Sequence, residues 1–357
     1  MSNTYGQSIR LSIFGESHGK AIGMVLDGVE PGVSIDMDQL EFQMKRRAPG
    51  GALATSRKEA DQVEFVSGIL NGKTCASPIC GIIANTNTHS QDYANLAAWM
   101  RPSHADYPAY MKYHGFNDIR GGGHFSGRLT APLVAAGEIC NRALCNHMPL
   151  QAGSHIVKLG EYEEPLWSDI LPDVLASHEK MAVPCQDPDQ VASIIEKARM
   201  DMDSVGGIVE TALWGVPVGL GDPFFDSMES RLSHILFSVP AVKGVMFGAG
   251  DGFASMKGSE ANDPYYFDNE ALVKTRTNHN GGILGGITTG MPIVFRTIIK
   301  PTASIGKKQM SVNLQTGQEE EGQIKGRHDP CIVLRAVPVL EAAAKIAVYD
   351  AFREGKF

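Results

Sequence analysis

The sequence predicts one large α+β domain spanning residues 1–357. A chain of 357 residues could hold two ordinary domains, or one large α/β or α+β unit. No linker-like tract rich in Pro, Ser and Gly divides the sequence, and no internal repeat of fixed period is visible. Helix and strand patterns are interspersed along the whole length. These three observations favour a single α+β domain.

Short strand patterns recur from the N-terminus to the C-terminal third. They cover residues 9–14, 21–29, 79–84, 208–218 and 291–300. The second of these ends at a Glu-Pro-Gly turn, and the last alternates between two faces as a β-strand does. Thr316-Gly317 indicates the turn of an exposed hairpin.

Helical patterns alternate with these strands. Asp36 is expected to cap a helix with Leu40 and Met44 on one face, which ends in the basic residues 45–47. The remaining helical patterns cover residues 130–146, 189–201, 227–238 and 336–352. Residues 51–60 are predicted to form a mobile loop.

Composition and charge exclude several classes of protein. The net charge of −8 argues against a general nucleic-acid binder, so any anion must be held by a local cluster of Arg and His. No apolar stretch approaches the roughly 18 residues of a membrane span, and no secretory signal is visible. The six cysteines form no CxxC pair. We therefore expect reduced thiols in the cytoplasm, and no metal site.

Two segments place a histidine in a polar turn. Residues 15–19 (GESHG) follow a strand pattern, and His18 within them can titrate near neutral pH. Residues 101–107 (RPSHADY) contain Arg101 and His104, which suit an anion site with one fixed charge and one mobile proton. The structural alternatives are a capping turn and a plain surface loop.

A glycine-rich segment precedes the helix predicted at 130–146. Residues 120–130 read RGGGHFSGRLT. Glycines before a helix N-terminus expose backbone N–H groups to an anion where the helix dipole is positive. The segment is neither a Walker loop nor a dinucleotide fingerprint with its ribose-binding acid, so it indicates no particular nucleotide.

Two C-terminal segments complete the candidate site. Residues 326–335 concentrate ionisable groups, among which an Asp could be a base, a metal ligand or one half of an ion pair. Residues 278–286 and 300–304 can lie close to a planar ring and a phosphate. The other histidines are interpreted as surface or structural residues: His89, His114, His147, His155, His178 and His234.

Taken together and in this order, these segments resemble the chorismate synthase family from about residue 6 to residue 350. The matching stretches are FGESHG (14–19), DGVEPG (27–32), RPSHADY (101–107), GAGDGF (248–253), TNHNGGILGG (277–286), KPTAS (300–304) and KGRHDPC with RAVPVLEA (325–342). Separated motifs in one fixed order are far more specific than any one of them.

The resemblance implies a carbon–oxygen lyase that converts enolpyruvylshikimate phosphate into chorismate and phosphate by an anti-1,4-elimination. This is the last common step of the shikimate pathway to the aromatic amino acids. The family requires reduced FMN although the reaction has no net redox change, and NADPH serves some members as the reductant of the flavin. The resemblance also implies a β-α-β sandwich, a homotetramer and a cytoplasmic location.

The resemblance extends to individual residues. His18 matches the family histidine near the leaving phosphate, and His104 matches the histidine that interacts with reduced flavin. Asp329 matches the acid that helps to remove the proton through the flavin. The implied substrate-binding residues are Ser17, Arg46, Arg47, Arg101, Ser126, Arg128, Arg327 and Arg335. The implied flavin-binding residues are His124, Phe125, Ser126, Ala241, Gly285, Lys300, Pro301, Thr302, Ala303, Ser304 and Arg327. Such a cluster of arginines suits a substrate with three anionic groups.

The chain departs from the family pattern in three places. His124 and Phe125 replace an Arg and a Ser, Pro240 replaces the usual Asn, and the loop after Arg47 lacks a further arginine. The resemblance therefore implies family chemistry with altered packing around the flavin. The alternatives are a non-catalytic flavin- or anion-binding relative of the same fold, and a flavoenzyme that consumes NADPH.

Overall fold

The computed structural model of the protein describes residues 3–48, 61–85, 98–324 and 329–355. The strands are β1 (Thr4–Tyr5), β2 (Arg10–Gly15), β3 (Ala21–Asp27), β4 (Glu64–Ser67), β5 (Ile69–Leu70), β6 (Lys73–Thr74), β7 (Ile79–Ala84), β8 (Gln151–Leu159), β9 (Tyr162–Glu163), β10 (Gly207–Trp214), β11 (Val242–Phe247), β12 (Tyr265–Phe267), β13 (Val273–Thr275), β14 (Ile283–Leu284), β15 (Ile287–Thr288), β16 (Ile293–Ile299), β17 (Gln309–Asn313) and β18 (Gln318–Gly322). The helices are α1 (Met37–Arg47), α2 (Asp106–Tyr113), α3 (Thr130–Cys145), α4 (Pro172–Glu179), α5 (Pro188–Met200), α6 (Met228–Leu236), α7 (Gly258–Ala261) and α8 (Val333–Glu354).

Two antiparallel sheets form the framework. The first has the strand order β1-β2-β3-β7-β4, and the second has the order β11-β16-β10-β8-β9. Helix α3 packs on β2, β3 and β7 of the first sheet, while α8 packs on β8 and β10 of the second. The two helices also pack on each other. The protein is therefore a mixed α and β structure in which one helical pair contacts both sheets.

The crossing of α3 and α8 depends on small side chains. A Cβ atom at Gly137 would lie 2.4 Å from the Cβ atom of Ala342. The absence of a side chain at Gly137 lets the two helices approach closely and bury most of α8, including its charged residues Glu341, Lys345 and Asp350. The carboxylate of Asp350 accepts hydrogen bonds of 2.8 to 3.1 Å from the backbone N–H groups of residues 7–9. This contact fixes the start of the first sheet to the last helix.

Most of the predicted elements are confirmed. Asp36 caps α1 by accepting a 3.0 Å hydrogen bond from the backbone N–H of Gln39, and the predicted hairpin at Thr316-Gly317 joins β17 to β18. The strand predicted over 208–218 ends at Trp214, since Gly215 adopts a φ of +86° that breaks the extended backbone. The loop predicted at 51–60 lies outside the described residues. None of the described helices is long and apolar enough to cross a membrane.

One histidine that the sequence left without a role lies in a buried ionic cluster. His155 of β8 bonds through Nδ1 to Glu164 and through Nε2, at 2.8 Å, to Glu210 of β10. Its ring stacks on Trp167 with the centroids 4.2 Å apart, and the edge of His178 meets the same indole. Burial alone would lower the pKa of His155, but the two carboxylates outweigh burial and raise it.

This cluster predicts a pH-dependent stability. Because the folded-state pKa of His155 is raised, its contribution is complete below the unfolded value of about 6.5 and is lost as pH rises through the folded value. We expect His155→Gln to lower the free energy of unfolding more at pH 6 than at pH 9. Urea unfolding at both pH values measures the two differences. Equal losses at pH 6 and pH 9 would mean that His155 is held as a neutral ring.

Candidate functional site

Three consecutive glycines bring two distant histidines to one surface. Gly121, Gly122 and Gly123 have φ values of +60°, +85° and +54°, which favour glycine. A Cβ atom at Gly121 would lie 2.4 Å from Cδ2 and 2.5 Å from Nε2 of His18. A Cβ atom at Gly122 would lie 3.5 Å from Nε2 of His104. The imidazoles of His18 and His104 thus border neighbouring glycines of one short turn.

The turn at residues 15–19 is tied to this glycine run by its backbone. The N–H of Ser17 donates to the carbonyl of Gly123 at 3.1 Å, and the N–H of Gly19 donates to the carbonyl of Glu16 at 3.0 Å. The amide of Asn85 donates to the carbonyls of Glu16 and Gly19 at 3.0 Å each. Ser17 and His18 are both buried. Their side chains are therefore held by a closed turn and not by an open loop.

A buried carboxylate joins two arginines beside this turn. Asp61 accepts hydrogen bonds from Arg47, at the end of α1, and from Arg128, just before α3. Nε of Arg128 also donates to Asn85 at 3.1 Å, so the pair is linked to the turn at 15–19. Ser126 accepts a 3.3 Å hydrogen bond from the N–H of Arg128. Burial lowers the pKa of Arg47 to about 10; Asp61 opposes this effect, while the charges of Arg335 and Arg128 add to it.

The start of α8 contributes a third arginine and an acid. Arg335 donates through Nε to the carbonyl of Arg47 at 3.2 Å and through Nη1 to Oδ2 of Asp329 at 2.6 Å. The other carboxylate oxygen of Asp329, Oδ1, is buried and has no hydrogen-bond partner among the described residues. A buried carboxylate oxygen without a donor is able to accept a proton or a hydrogen bond from a bound molecule.

A second cluster forms around His104. Asp106 binds Arg101 through two hydrogen bonds of 2.7 Å and His104 through one of 2.6 Å, and Nη1 of Arg101 donates to Ser304 at 3.3 Å. Burial would raise the pKa of Asp106, but the hydrogen bonds from Arg101 and His104 hold it far below its usual value.

The segment 300–304 is fixed against this second cluster. Nζ of Lys300 donates to the carbonyl of Ser103 at 2.6 Å, and the N–H of Lys300 donates to the carbonyl of Ala241 at 3.0 Å. The carbonyl of Thr302 accepts a 2.8 Å hydrogen bond from Ser204. Burial, and then the charge of Lys243, lower the pKa of Lys300. Lys300 and Ser304 thus contact Ser103 and Arg101, which are close in sequence to the histidine implied to meet the flavin.

The features of this cluster fit a flavin. The backbone of Gly122 lies beside Nε2 of His104 without a side chain, and a Cβ atom there would lie 3.5 Å from that nitrogen. Lys300 and Arg101 provide positive charge for an anionic group. The flavin would be held by the part of the chain that contains His104, Ala241 and residues 300–304.

The chain also matches a known protein family along most of its length. A family model described as Chorismate synthase matches residues 9–352. The chain belongs to the chorismate synthase family.

Two relatives match this chain along nearly its whole length and along nearly the whole of their own. The protein named Chorismate synthase from Dehalococcoides mccartyi (strain ATCC BAA-2100 / JCM 16839 / KCTC 5957 / BAV1) is 42% identical over 99% of this chain and 98% of its own. The one from Methanocaldococcus jannaschii is 40% identical over 100% of this chain and 98% of its own. A solved structure titled Crystal Structure of Chorismate Synthase aligns with a TM-score of 0.75 at 27% identity, covering 98% of this chain and 93% of that one.

Some residues with implied roles lie at the edge of the two clusters or bind other parts of the chain. Arg46 points to α8, where Nη1 lies 2.6 Å from Oε2 of the buried Glu341. His124 is exposed at the edge of the turn at 15–19, where its Nδ1 lies 3.4 Å from the carbonyl oxygen of Gly15 and its Nε2 lies 3.2 Å from the side-chain oxygen of Asn3. Phe125 is also exposed. A Cβ atom at Gly285, in the turn between β14 and β15, would meet no atom within 4 Å. Arg327 lies outside the described residues.

Several residues of the site carry no implied role from the sequence. Asp61, Asn85 and Asp106 each bond a predicted site residue, and Gly121 and Gly122 set the spacing of the histidines. Asp106 had a detectable signal, since an acid two residues after a histidine can reach its ring. Asp61 and Asn85 had none, because their partners are distant in sequence.

Proposed function

We propose that the active site is formed by residues 15–19, residues 121–123 and the two clusters described above, in which arginines bind Asp61 and Asp106. The chain is a lyase that converts enolpyruvylshikimate phosphate into chorismate and phosphate, with reduced FMN as cofactor. A C–H bond breaks on one face of the substrate ring and the C–O bond to phosphate breaks on the other. The observation that carries the assignment is the meeting of His18 and His104 at Gly121 and Gly122.

His18 is proposed to donate a proton to the departing phosphate. Its ring lies in the closed turn at 15–19, whose backbone carbonyls accept hydrogen bonds from Asn85, and Asn85 in turn accepts one from Arg128. A proton from an imidazole and a fixed positive charge both stabilise the negative charge that builds up on a leaving phosphate. Ser17, also buried in this turn, is proposed to donate a hydrogen bond to the same group.

The arginines are proposed to bind the three anionic groups of the substrate. Arg47 and Arg128 share Asp61, and Arg335 is held between Asp329 and the carbonyl of Arg47. Each guanidinium has five N–H groups in a fixed plane, so a carboxylate partner leaves donors for a bound anion. The partner carboxylates hold the guanidinium planes in place before the substrate arrives.

The flavin is proposed to be held by His104, Ala241 and residues 300–304, with Lys300 supplying positive charge for its anionic part and Arg101 binding the substrate. Reduced FMN supplies an electron-rich ring that eases departure of the phosphate, without net oxidation. Asp329 is proposed to help remove the proton from the substrate ring, because its buried Oδ1 has no hydrogen-bond partner among the described residues while Oδ2 accepts from Arg335.

The proposal predicts a specific pattern of activity. Under anaerobic conditions with reduced FMN, the protein is expected to release phosphate from enolpyruvylshikimate phosphate. His18→Ala and His104→Ala are each expected to lower turnover by about 100-fold or more, because each removes a proton donor or acceptor. His147→Ala is the control, since His147 is a half-exposed ring paired with Glu30.

Full turnover in both the His18 and the His104 variant would remove the assigned roles. FMN binding without any phosphate release would instead support the non-catalytic relative considered above. Steady oxidation of NADPH in the absence of substrate would support the redox flavoenzyme. Both alternatives are less favoured because the two histidines, Asp329 and the arginines belong to linked clusters of one site.

We further propose that the chain forms one β-α-β sandwich domain, assembles as a homotetramer and acts in the cytoplasm. The contacts of α3 and α8 with the two sheets support the sandwich. Phe224 and Phe225 are 87% and 91% exposed, and such large apolar surfaces suit a contact between subunits. Light scattering of the purified chain measures the assembly, and cell fractionation tests the location.

A further inference from the structure

Asp106 binds two proposed site residues at once, His104 and Arg101. Its Oδ1 is 2.6 Å from Nδ1 of His104 and accepts a 2.7 Å hydrogen bond from Nη2 of Arg101. Its Oδ2 accepts bonds of 2.7 Å from Nε and 3.1 Å from the backbone N–H of Arg101. Four contacts therefore use both oxygens of one carboxylate, which is mostly buried at the first turn of α2.

These contacts determine how the imidazole of His104 is presented. A carboxylate that faces Nδ1 keeps a proton on that nitrogen and sets the plane of the ring. The other nitrogen, Nε2, is then on the side of Gly122, where a Cβ atom would lie 3.5 Å away. The nitrogen that faces the proposed flavin site is thus selected by Asp106.

We propose that Asp106 is a positioning residue for the elimination. It orients the ring of His104 with Nε2 toward the site, and it holds the guanidinium of Arg101 in a fixed position beside that ring. This inference rests on the proposed function, because it assigns Asp106 a role through His104 and Arg101. Under this proposal Asp106 acts through these two residues and not by direct contact with the substrate or the flavin. Its effect on turnover passes through the imidazole, and its effect on substrate affinity passes through the guanidinium.

The amide of asparagine cannot replace this carboxylate. Every group that faces Asp106 is a hydrogen-bond donor: Nε, Nη2 and the backbone N–H of Arg101, and Nδ1–H of His104. An asparagine offers one oxygen, so its NH₂ group must face donors in either orientation. In place of Oδ1 it faces both Nδ1 of His104 and Nη2 of Arg101, so the ring proton moves from Nδ1 to Nε2 and the guanidinium is displaced. In place of Oδ2 it faces Nε and the backbone N–H of Arg101, and only the guanidinium is displaced.

The test compares Asp106→Asn, His104→Ala and the double variant by anaerobic phosphate release at saturating reduced FMN. Asp106→Asn is expected to lower kcat at least about 10-fold and to raise KM for enolpyruvylshikimate phosphate several-fold. In the His104→Ala background the same change is expected to leave kcat unaltered, while KM still rises through Arg101. Asp106→Glu keeps the charge and is expected to recover part of kcat.

The control is Asp173→Asn. Asp173 is an exposed carboxylate and lies in the first turn of α4, as Asp106 lies in the first turn of α2, so this variant measures only the loss of a negative charge near a helix N-terminus. Asp106→Asn with normal kcat, or with the same loss of kcat in both backgrounds, overturns the inference while the proposed function stands. His104→Ala with full turnover overturns both. Recovery by Asp106→Glu excludes a fold defect as the cause, and a glutamate variant no better than asparagine counts against the positioning role.

Discussion

Replacing Gly121 with alanine is expected to lower kcat by about 100-fold while the protein stays folded. The new Cβ atom would lie 2.4 Å from Cδ2 of His18 and 2.9 Å from Oγ of Ser17, distances that no carbon atom tolerates. His18 cannot yield easily, because its turn is fixed by Asn85 and by the carbonyl of Gly123. A displacement of about 1 Å at a catalytic group can reduce the rate by about 100-fold.

Two matched variants separate the contact with His18 from other effects of alanine. Gly317→Ala places alanine at a φ of +69° with no atom within 4 Å, and it measures backbone strain alone. Gly127→Ala lies in the same segment with equally open space and measures a mutation near the site. Phosphate release and thermal unfolding are recorded for all three variants. If Gly121→Ala turned over as fast as Gly127→Ala, the closeness of Gly121 to His18 would have no role in the reaction.

The sequence predicted those helices and strands whose pattern of apolar residues can be recognised without knowing which elements pack against them. The helices α1, α3, α5, α6 and α8 and the strands β2, β3, β7, β10 and β16 follow from local periodicity and caps. Strand β8 was missed because α4 covers its outer face, so both faces are buried and the alternation that marks a strand is absent. Helix α2 was missed because it is short and buries only Ala109, so it shows no apolar stripe, and because the side chain of its N-cap, Ala105, cannot accept a capping hydrogen bond.

The site was predictable as a set of segments but not as an arrangement. The motifs named both histidines, yet their approach depends on the φ values of Gly121 and Gly122, which sequence alone does not reveal. Arg46 and Arg47 are adjacent in the sequence and equally basic. About 100° of helix rotation separates their side chains, which sends Arg46 to Glu341 and Arg47 to Asp61. Only the packing of α1 against α8 distinguishes the two.

Replacing Asp61 with asparagine is expected to lower the free energy of unfolding by about 3 kcal/mol and to raise KM at least 10-fold. The side chains of Arg47, Asp61 and Arg128 are 1%, 2% and 7% exposed, so water cannot replace the lost charge. Two guanidinium groups would remain close together without their shared carboxylate. They would repel each other, and their planes would no longer be fixed for an incoming anion. Asparagine is the suitable replacement because Asp61 has a φ of +39°, a region that asparagine tolerates.

The comparison with Asp203→Asn shows whether burial is the cause. Asp203 forms a 2.6 Å ion pair with Lys307, but both side chains are about half exposed, so its loss should change the free energy of unfolding by less than about 1 kcal/mol. Urea unfolding measures both variants, and anaerobic phosphate release gives KM for each. Because Asp61 joins arginines from two distant parts of the chain, stability and substrate affinity should fall together. A variant that lost stability but kept its KM would mean that Asp61 only neutralises buried charge and does not orient Arg47 and Arg128 for the substrate.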